Sequence, residues 1–232
     1  MTPRNDAPRL VLHGGWEFTK DDGVDKIISE FAGGKILLIP DASKFPEKQT
    51  ERAVERYRLY KTRVLLLDKK AAVLPQGIRV LYVGGGQPTK LMTYFKNRPE
   101  LLENIKAKWR RREITWCGCS AGAITIMPRM LAPNSYGRGE ADLELALGLI
   151  NNNAIVVPHW NADDTEEIWR QKVLKTHRGK LVITIDEHTA LFWHQDKAEI
   201  IGLGTVGLAC RGQHKIYKNG QMISGLKIQD HI

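Results

Sequence analysis

Short, almost continuously apolar runs alternate with longer amphipathic stretches along most of the chain. The runs are RLVLHGG (9–15), KILLIPDAS (35–43), RVLLLD (63–68), RVLYVGGG (79–86), ITWCGCS (114–120), AIVVPH (154–159) and LVITID (181–186). Apolar residues at consecutive positions, rather than at every second one, predict strands covered on both faces, as in a parallel sheet. Between them DGVDKIISEFAGG, PEKQTERAVERYRLYK, QPTKLMTYFKN, RPELLENIKAKWRRRE and DDTEEIWRQKVLKTH predict helices. The first closes on Gly33-Gly34, a helix stop. The second opens with Pro46 and carries Glu51 and Glu55 among Arg52, Arg56 and Arg58, an exposed charged face. This alternation predicts an α/β fold, a three-layer sandwich about a mostly parallel central sheet. From about residue 190 the pattern changes to ALFWH, AEIIGLG, TVGLAC and HKIYKNGQMI, an antiparallel β extension over about 190–232 in which Asn219-Gly220 signals a hairpin. No stretch reads as a linker, so residues 1–232 are expected to form a single domain.

Composition narrows the class. At about 150 residues per domain, 232 residues suffice for a full core. A hydrophobic fraction of 42% and a charged fraction of 26% are those of a globular chain. No apolar run approaches the roughly 18 residues that cross a bilayer, and MTPRNDAPRLVLHGG lacks the apolar core of a signal peptide. Three cysteines, Cys117, Cys119 and Cys210, make no disulfide framework. A cytoplasmic protein without membrane partners is expected. The net charge of +9 raises nucleic acid or an acidic substrate as partners. Its densest cluster, Lys106, Lys108, Arg110, Arg111 and Arg112 around Trp109, falls at a predicted helix end, where cations suit the dipole. No zinc-finger spacing, RNP-like motif or repeat accompanies it, so no nucleic acid is expected.

Chemistry concentrates in Ile114-Thr-Trp-Cys-Gly-Cys-Ser-Ala-Gly-Ala123, read as strand, turn, then a helix over AITIMPRML. G-x-S-x-G between strand and helix is the nucleophile elbow. Its turn is so tight that residues two positions to either side of Ser120 must be small. The hydroxyl then projects over the carboxyl end of the sheet, near a helix N-terminus that favours negative charge, with the Ala121 N–H as first oxyanion donor. Gly84-Gly85-Gly86 end the preceding strand and deliver a second donor, from Gly85 or Gly86, to the same crevice. Among seven histidines, His159 follows the elbow and sits at a strand C-terminus, where a base facing Ser120 belongs. His13 is the runner-up, more suited to shaping the pocket or to being a hydrogen-bonded turn residue. For the carboxylate that orients the base, Glu187 in LVITIDEHTAL is preferred over Glu140 in YGRGEADLE. Gly202-Leu-Gly204-Thr-Val-Gly207 satisfies G-x-G-x-x-G, but no helix follows and position 227 is Lys, so a dinucleotide site is rejected. Cys117-Gly-Cys119 has no partner spacing and H-E-x-x-H is missing, so no metal and no cofactor are expected.

VGGGQ, GCSAGA, VVPHW and IDEHTAL together resemble the peptidase E (aspartyl dipeptidase)/cyanophycinase family of serine peptidases, over about residues 9–207. The resemblance implies a class I glutamine amidotransferase-like fold and cofactor-free peptide-bond hydrolysis. It also implies Ser120 as nucleophile, His159 as base, and the Gly86 and Ala121 amides as oxyanion hole. Peptidase E relatives place an acid about fifteen positions after the elbow, where this chain has Ser135. The IDE stretch is similar to the cyanophycinase branch and supports Glu187, and Gln87 is similar to the glutamine after its glycines. Where cyanophycinases carry arginines beyond the histidine, this chain has Asn161, Asp163 and Asp164. Gly85, Gln87 and Asn161 are expected to contact a small peptide, a dipeptide or isoaspartyl-type substrate, and a homodimer is compatible with this reading. Two alternatives stay open: an amidotransferase or amidase using cysteine, and a non-catalytic module binding a small metabolite.

Overall fold

The computed structural model describes residues 8–132, 141–150, 153–162, 166–194 and 196–227. Its first half follows the alternation read from the sequence: β1 (Leu10–His13), α1 (Val24–Ala32), β2 (Lys35–Ile39), α2 (Pro46–Arg58), β3 (Arg63–Leu66), β4 (Val80–Val83), α3 (Pro88–Lys96), α4 (Pro99–Arg110) and β5 (Thr115–Cys119). Gly33 ends α1 in the left-handed region, and Pro46 occupies the first turn of α2, as the punctuation predicts. The chain continues through α5 (Ala121–Ile124), β6 (Arg129–Leu131), β7 (Leu143–Leu145), β8 (Ala154–Val157), α6 (Glu167–Thr176) and β9 (Leu181–Ile185). It closes with β10 (Thr189–Trp193), β11 (Lys197–Gly202), β12 (Thr205–Cys210), β13 (Gln213–Lys218) and β14 (Met222–Ser224).

The central sheet has the order β14-β11-β10-β1-β5-β4-β2-β3, with β1, β5, β4, β2 and β3 parallel and β10, β11 and β14 antiparallel at one side. Residue parity along each strand separates two apolar layers. Leu10, Leu12, Leu37 and Ile39 face α3 and α4, which contribute Phe95, Ile105 and Trp109. Val11, Ile36 and Leu38 face α1 and α2, which contribute Ile28, Phe31 and Tyr57. Burial on both faces accounts for the uninterrupted apolar runs of β1, β2 and β4, whereas β3, at the sheet edge, is only partly buried despite its apolar run. The result is a mixed α/β layered fold with a large, mostly parallel sheet.

Three expectations are corrected. AIVVPH and LVITID do not join the central sheet: β8 and β9 run parallel to each other in a second sheet of order β13-β12-β9-β8. That sheet packs its Val156, Ile183 and Val206 into the same apolar cluster as Leu10 and Leu12. The helix over AITIMPRML is a single turn, because Ile124-Thr125-Ile126 is β-branched and Pro128 lacks an N–H, and the chain becomes β6 at Arg129. Asn219-Gly220 does not close a hairpin. β13 pairs with β12, β14 pairs with β11, and the turn between them returns the chain from the second sheet to the central one. Gly202 and Gly204 flank the passage from β11 to β12, so no helix follows that glycine motif.

Trp109 is fully buried, donating its indole N–H to the Arg9 carbonyl at 3.0 Å beneath the Arg9 guanidinium. Lys108 and Arg111 pair with Glu113 at the end of α4. The basic cluster is thus a helix end with a core tryptophan, and its ring is not exposed for stacking. Among the described residues no helix is long and apolar enough to cross a membrane.

Candidate active site

Strands β1, β5 and β4 lie side by side, so His13, Cys119 and Val83 bring their following loops to one edge. At the tip of the loop after β5, Ser120 has φ 47° and ψ −106°, a strained conformation for a residue with a side chain. The strain persists because its neighbours leave no other path. A Cβ on Gly118 would fall 2.2 Å from the Gly122 carbonyl oxygen, and one on Gly122 would fall 2.1 Å from that of Val83. These are the two positions at which the elbow needs small residues. The Ser120 N–H is held by the His13 carbonyl at 2.9 Å.

The second sheet carries the other two groups. His159, two residues beyond β8, points its Nε2 at the Ser120 Oγ at 3.0 Å, and its Nδ1 lies 2.8 Å from the Glu187 Oε1. Glu187 follows β9, and the parallel pairing of β8 with β9 delivers both side chains to the same end. Asp186 faces the other way, accepting the Thr205 N–H and hydroxyl at 2.8 Å each. Asn161 accepts the Glu187 N–H at 2.8 Å and so holds the carboxylate's backbone. Glu140, the rival acid, lies outside the described residues, as do Ser135, Asp163 and Asp164.

The junction between the sheets is the His13-Gly14-Gly15 turn. The His159 N–H donates to the Gly14 carbonyl at 2.8 Å and the His188 N–H to that of Gly15 at 3.1 Å. A Cβ on Gly14 would sit 2.0 Å from the Asp186 carbonyl oxygen, and one on Gly15 would sit 2.1 Å from the His159 Cε1. Both glycines are there for close approach, and Gly15 also has φ 133°. His13 itself is buried. Its Nδ1 accepts the Gly15 N–H at 3.1 Å, and its Nε2 lies 3.4 Å from Asp22. It shapes this turn and does not reach Ser120 as a base. Gly15→Ala is expected to displace the imidazole and lower kcat/KM by about 100-fold or more, since a displacement of order 1 Å suffices. Gly34→Ala is the control: Gly34 is also left-handed, at φ 80°, but with nothing within 4 Å of its Cβ position. It should lower the melting temperature and leave kcat/KM unchanged.

Ser120, His159, Gly85 and Gly86 line a cavity of about 410 Å³, together with Trp16, Glu17, Phe45, Lys48, Gln49 and Arg52. Neither Gln87 nor Asn161 lines it. Gln87 is exposed at the N-terminus of α3 and donates its N–H to the Ala42 carbonyl at 2.7 Å. The Gly85 N–H is engaged by the Glu17 Oε1 at 2.8 Å, which leaves Gly86 as the free donor of the two. Among the described residues neither Gly86 nor Ala121 uses its N–H in a hydrogen bond. With α5 one turn long, Ser120 faces these individual N–H groups and not the summed dipole of a long helix.

Cys119 is placed badly for a nucleophile. It is buried, its thiol donates to the Glu17 Oε2 at 2.7 Å, and burial followed by the Glu17 charge pushes the thiol well above its ordinary range. Among the described residues no cluster of three or more His, Cys, Asp or Glu is arranged to hold a metal ion. Two cavity residues had no signal in the sequence: Glu17 and Gln49 belong to no spacing pattern, and only the fold brings them to Gly85.

Comparison with known proteins agrees with this architecture. The model of peptidase family S51 matches residues 10–201. A cyanophycinase from Geminocystis herdmanii (strain PCC 6308) is 29% identical over 206 residues, covering 81% of this chain and 74% of that protein. The crystal structure of a peptidase from an acI-B1 Actinobacterium superimposes with a TM-score of 0.72 at 21% identity, covering 94% of this chain and 97% of that one. A putative peptidase E protein from Listeria monocytogenes EGD-e gives a TM-score of 0.61 at 21% identity, over 84% of this chain and 98% of the other.

Proposed function

The chain belongs to peptidase family S51 and is a serine-type peptidase, and we propose that it hydrolyses a small peptide through an acyl-enzyme on Ser120. The observation that carries this reading is the continuous contact from Glu187 through His159 to Ser120, 2.8 Å and 3.0 Å, opening on the cavity. With its Nδ1–H donated to the carboxylate, the imidazole presents the Nε2 lone pair to the serine hydroxyl. His159 takes the Ser120 proton as the Oγ attacks the substrate carbonyl. The resulting oxyanion is met by the Gly86 and Ala121 N–H groups. His159 then gives the proton to the leaving amine, and a water activated by the same imidazole releases the acyl group.

The substrate is a dipeptide or isoaspartyl-type peptide. A cavity of about 410 Å³ is on the scale of sites that enclose one small molecule. Lys48 and Arg52, one turn apart on α2, place positive charge on its wall, which suits a carboxylate on the substrate. The cyanophycinase and peptidase E relatives are consistent with this choice. The test is a dipeptide panel that includes Asp-Xaa and β-Asp-Arg, assayed on the wild type and on Ser120→Ala. Cleavage of an acidic dipeptide by the wild type alone is expected. A wild type that leaves the whole panel intact contradicts the substrate assignment.

A further inference from the structure

We infer that Gln49 and Glu17 are positioning residues that hold the Gly85–Gly86 peptide with its N–H presented to the oxyanion, an inference that rests on the acyl-enzyme reading above. Gln49 reaches over from α2, and its side-chain amide spends its two donors on one neighbourhood. The Nε2 lies 2.6 Å from the Glu17 Oε1 and 3.3 Å from the Gly85 carbonyl oxygen. The same Glu17 Oε1 accepts the Gly85 N–H at 2.8 Å. Both backbone groups of Gly85 are therefore tied to one side-chain pair. In a trans peptide the C=O and the following N–H point in opposite directions. Anchoring the Gly85 carbonyl to Gln49 thus turns the Gly86 N–H away from Gln49. That N–H makes no hydrogen bond to any described residue, and Gly86 lines the cavity beside Ser120 and His159.

The tether answers a weakness of the loop. Three consecutive glycines have many accessible conformations, and a flip of the Gly85–Gly86 peptide would put a carbonyl oxygen where a donor is required. The flanks alone leave this peptide unpinned: Gly84 donates to the Ile39 carbonyl at 3.0 Å and Gln87 to that of Ala42 at 2.7 Å, one residue to either side. Packing agrees, because a Cβ on Gly84 would fall 2.8 Å from both the Nε2 and the Oε1 of Gln49, so the amide lies flat on the glycine. Glu17 adds the third edge by accepting the Cys119 thiol at 2.7 Å, which joins the loops after β1, β4 and β5 around the hole. Meanwhile the Gln49 Oε1 is buried with no hydrogen-bond partner among the described residues. Among the described residues the side chain is thus engaged through its Nε2 donors alone.

The test is the rate of phosphonylation by a fluorophosphonate, followed against pH for the wild type and Gln49→Met. In this reaction the Ser120 Oγ forms a bond to phosphorus, the P–F bond breaks, fluoride leaves, and the serine proton passes to His159. The phosphoryl oxygen occupies the oxyanion hole. Met keeps the length and packing of the side chain and removes both donors. The variant is expected to melt close to the wild type and to label about 10- to 100-fold more slowly, by analogy with loss of an oxyanion donor. The midpoint of its pH profile should not move, because His159 is untouched. Gln49→Glu, which keeps the shape but sets a second carboxylate against Glu17, should be slow as well and serves if Gln49→Met does not fold. A folded variant labelling within about twofold of the wild type, or a Gln49→Met whose slower labelling comes with a shifted midpoint, overturns this inference alone. A wild type that is not phosphonylated at all overturns the acyl-enzyme reading and this inference with it.

Discussion

Ser120→Ala is expected to lower kcat/KM by about 10⁴-fold or more, with His159→Ala equally damaging and the double variant no worse than either. The non-additivity follows from the geometry. The hydroxyl and the imidazole Nε2 are 3.0 Å apart, and in the proposed mechanism neither accelerates the reaction without the other. A serine hydroxyl is a poor nucleophile at neutral pH unless its proton has a destination, and the base has nothing to activate once the hydroxyl is gone. Residual hydrolysis in all three should be similar, since the Gly86 and Ala121 N–H groups and the cavity remain. Replacing Ser120 also removes a residue at φ 47°, and Ala inherits the same strained turn, so the melting temperature should change little. Kinetics on the cleaved dipeptide, with thermal melts in parallel, check both statements. Singles that multiply in the double variant would mean that the two side chains act independently.

Glu187→Gln is expected to lower kcat by about 10³- to 10⁴-fold with KM nearly unchanged, the effect of reversing the imidazole tautomer. Glu187 accepts from the His159 Nδ1 at 2.8 Å, and a carboxylate can only accept there. An amide turned to donate would favour the tautomer with its proton on Nε2, which cannot take the serine proton. Glu187 does not itself line the cavity where Lys48 and Arg52 are proposed to meet the substrate, so binding is expected to be spared. Asn161→Ala should act in the same direction and less strongly, because Asn161 holds only the Glu187 N–H. Separate measurement of kcat and KM distinguishes this account from general loss of structure, which would raise KM and depress the melting temperature together.

The elbow was legible because its constraints are local. Gly118 and Gly122 lie two residues from Ser120, and the carbonyls they approach leave no room for a side chain. The glycines after β4 were legible as neighbours of the elbow for a related reason: adjacent parallel strands end together, and Val83 stands opposite Gly118. The second sheet was not legible. AIVVPH and LVITID are apolar on both faces in either sheet, and pattern alone does not tell which partner strand each will take. His159 and Glu187 were nevertheless placed at strand ends, and β8 and β9 deliver them together from outside the central sheet. The short α5 shows β-branched residues and Pro128 outweighing the expected helix. Glu17 and Gln49 carried no readable signal, since they meet Gly85 from 68 and 36 residues away in sequence. His13-Gly14-Gly15 read as an ordinary strand-ending turn, and only the close approach of the Asp186 carbonyl to Gly14 and of the His159 ring to Gly15 explains its glycines.

The most direct measurement is peptide mapping by mass spectrometry after treatment with a fluorophosphonate. A single adduct on Ser120, formed by the wild type and lost in His159→Ala, is the predicted result, with hydrolysis abolished in step and unaffected by iodoacetamide. An adduct at another residue, or hydrolysis lost to iodoacetamide at Cys119 while Ser120 stays unmodified, would contradict it.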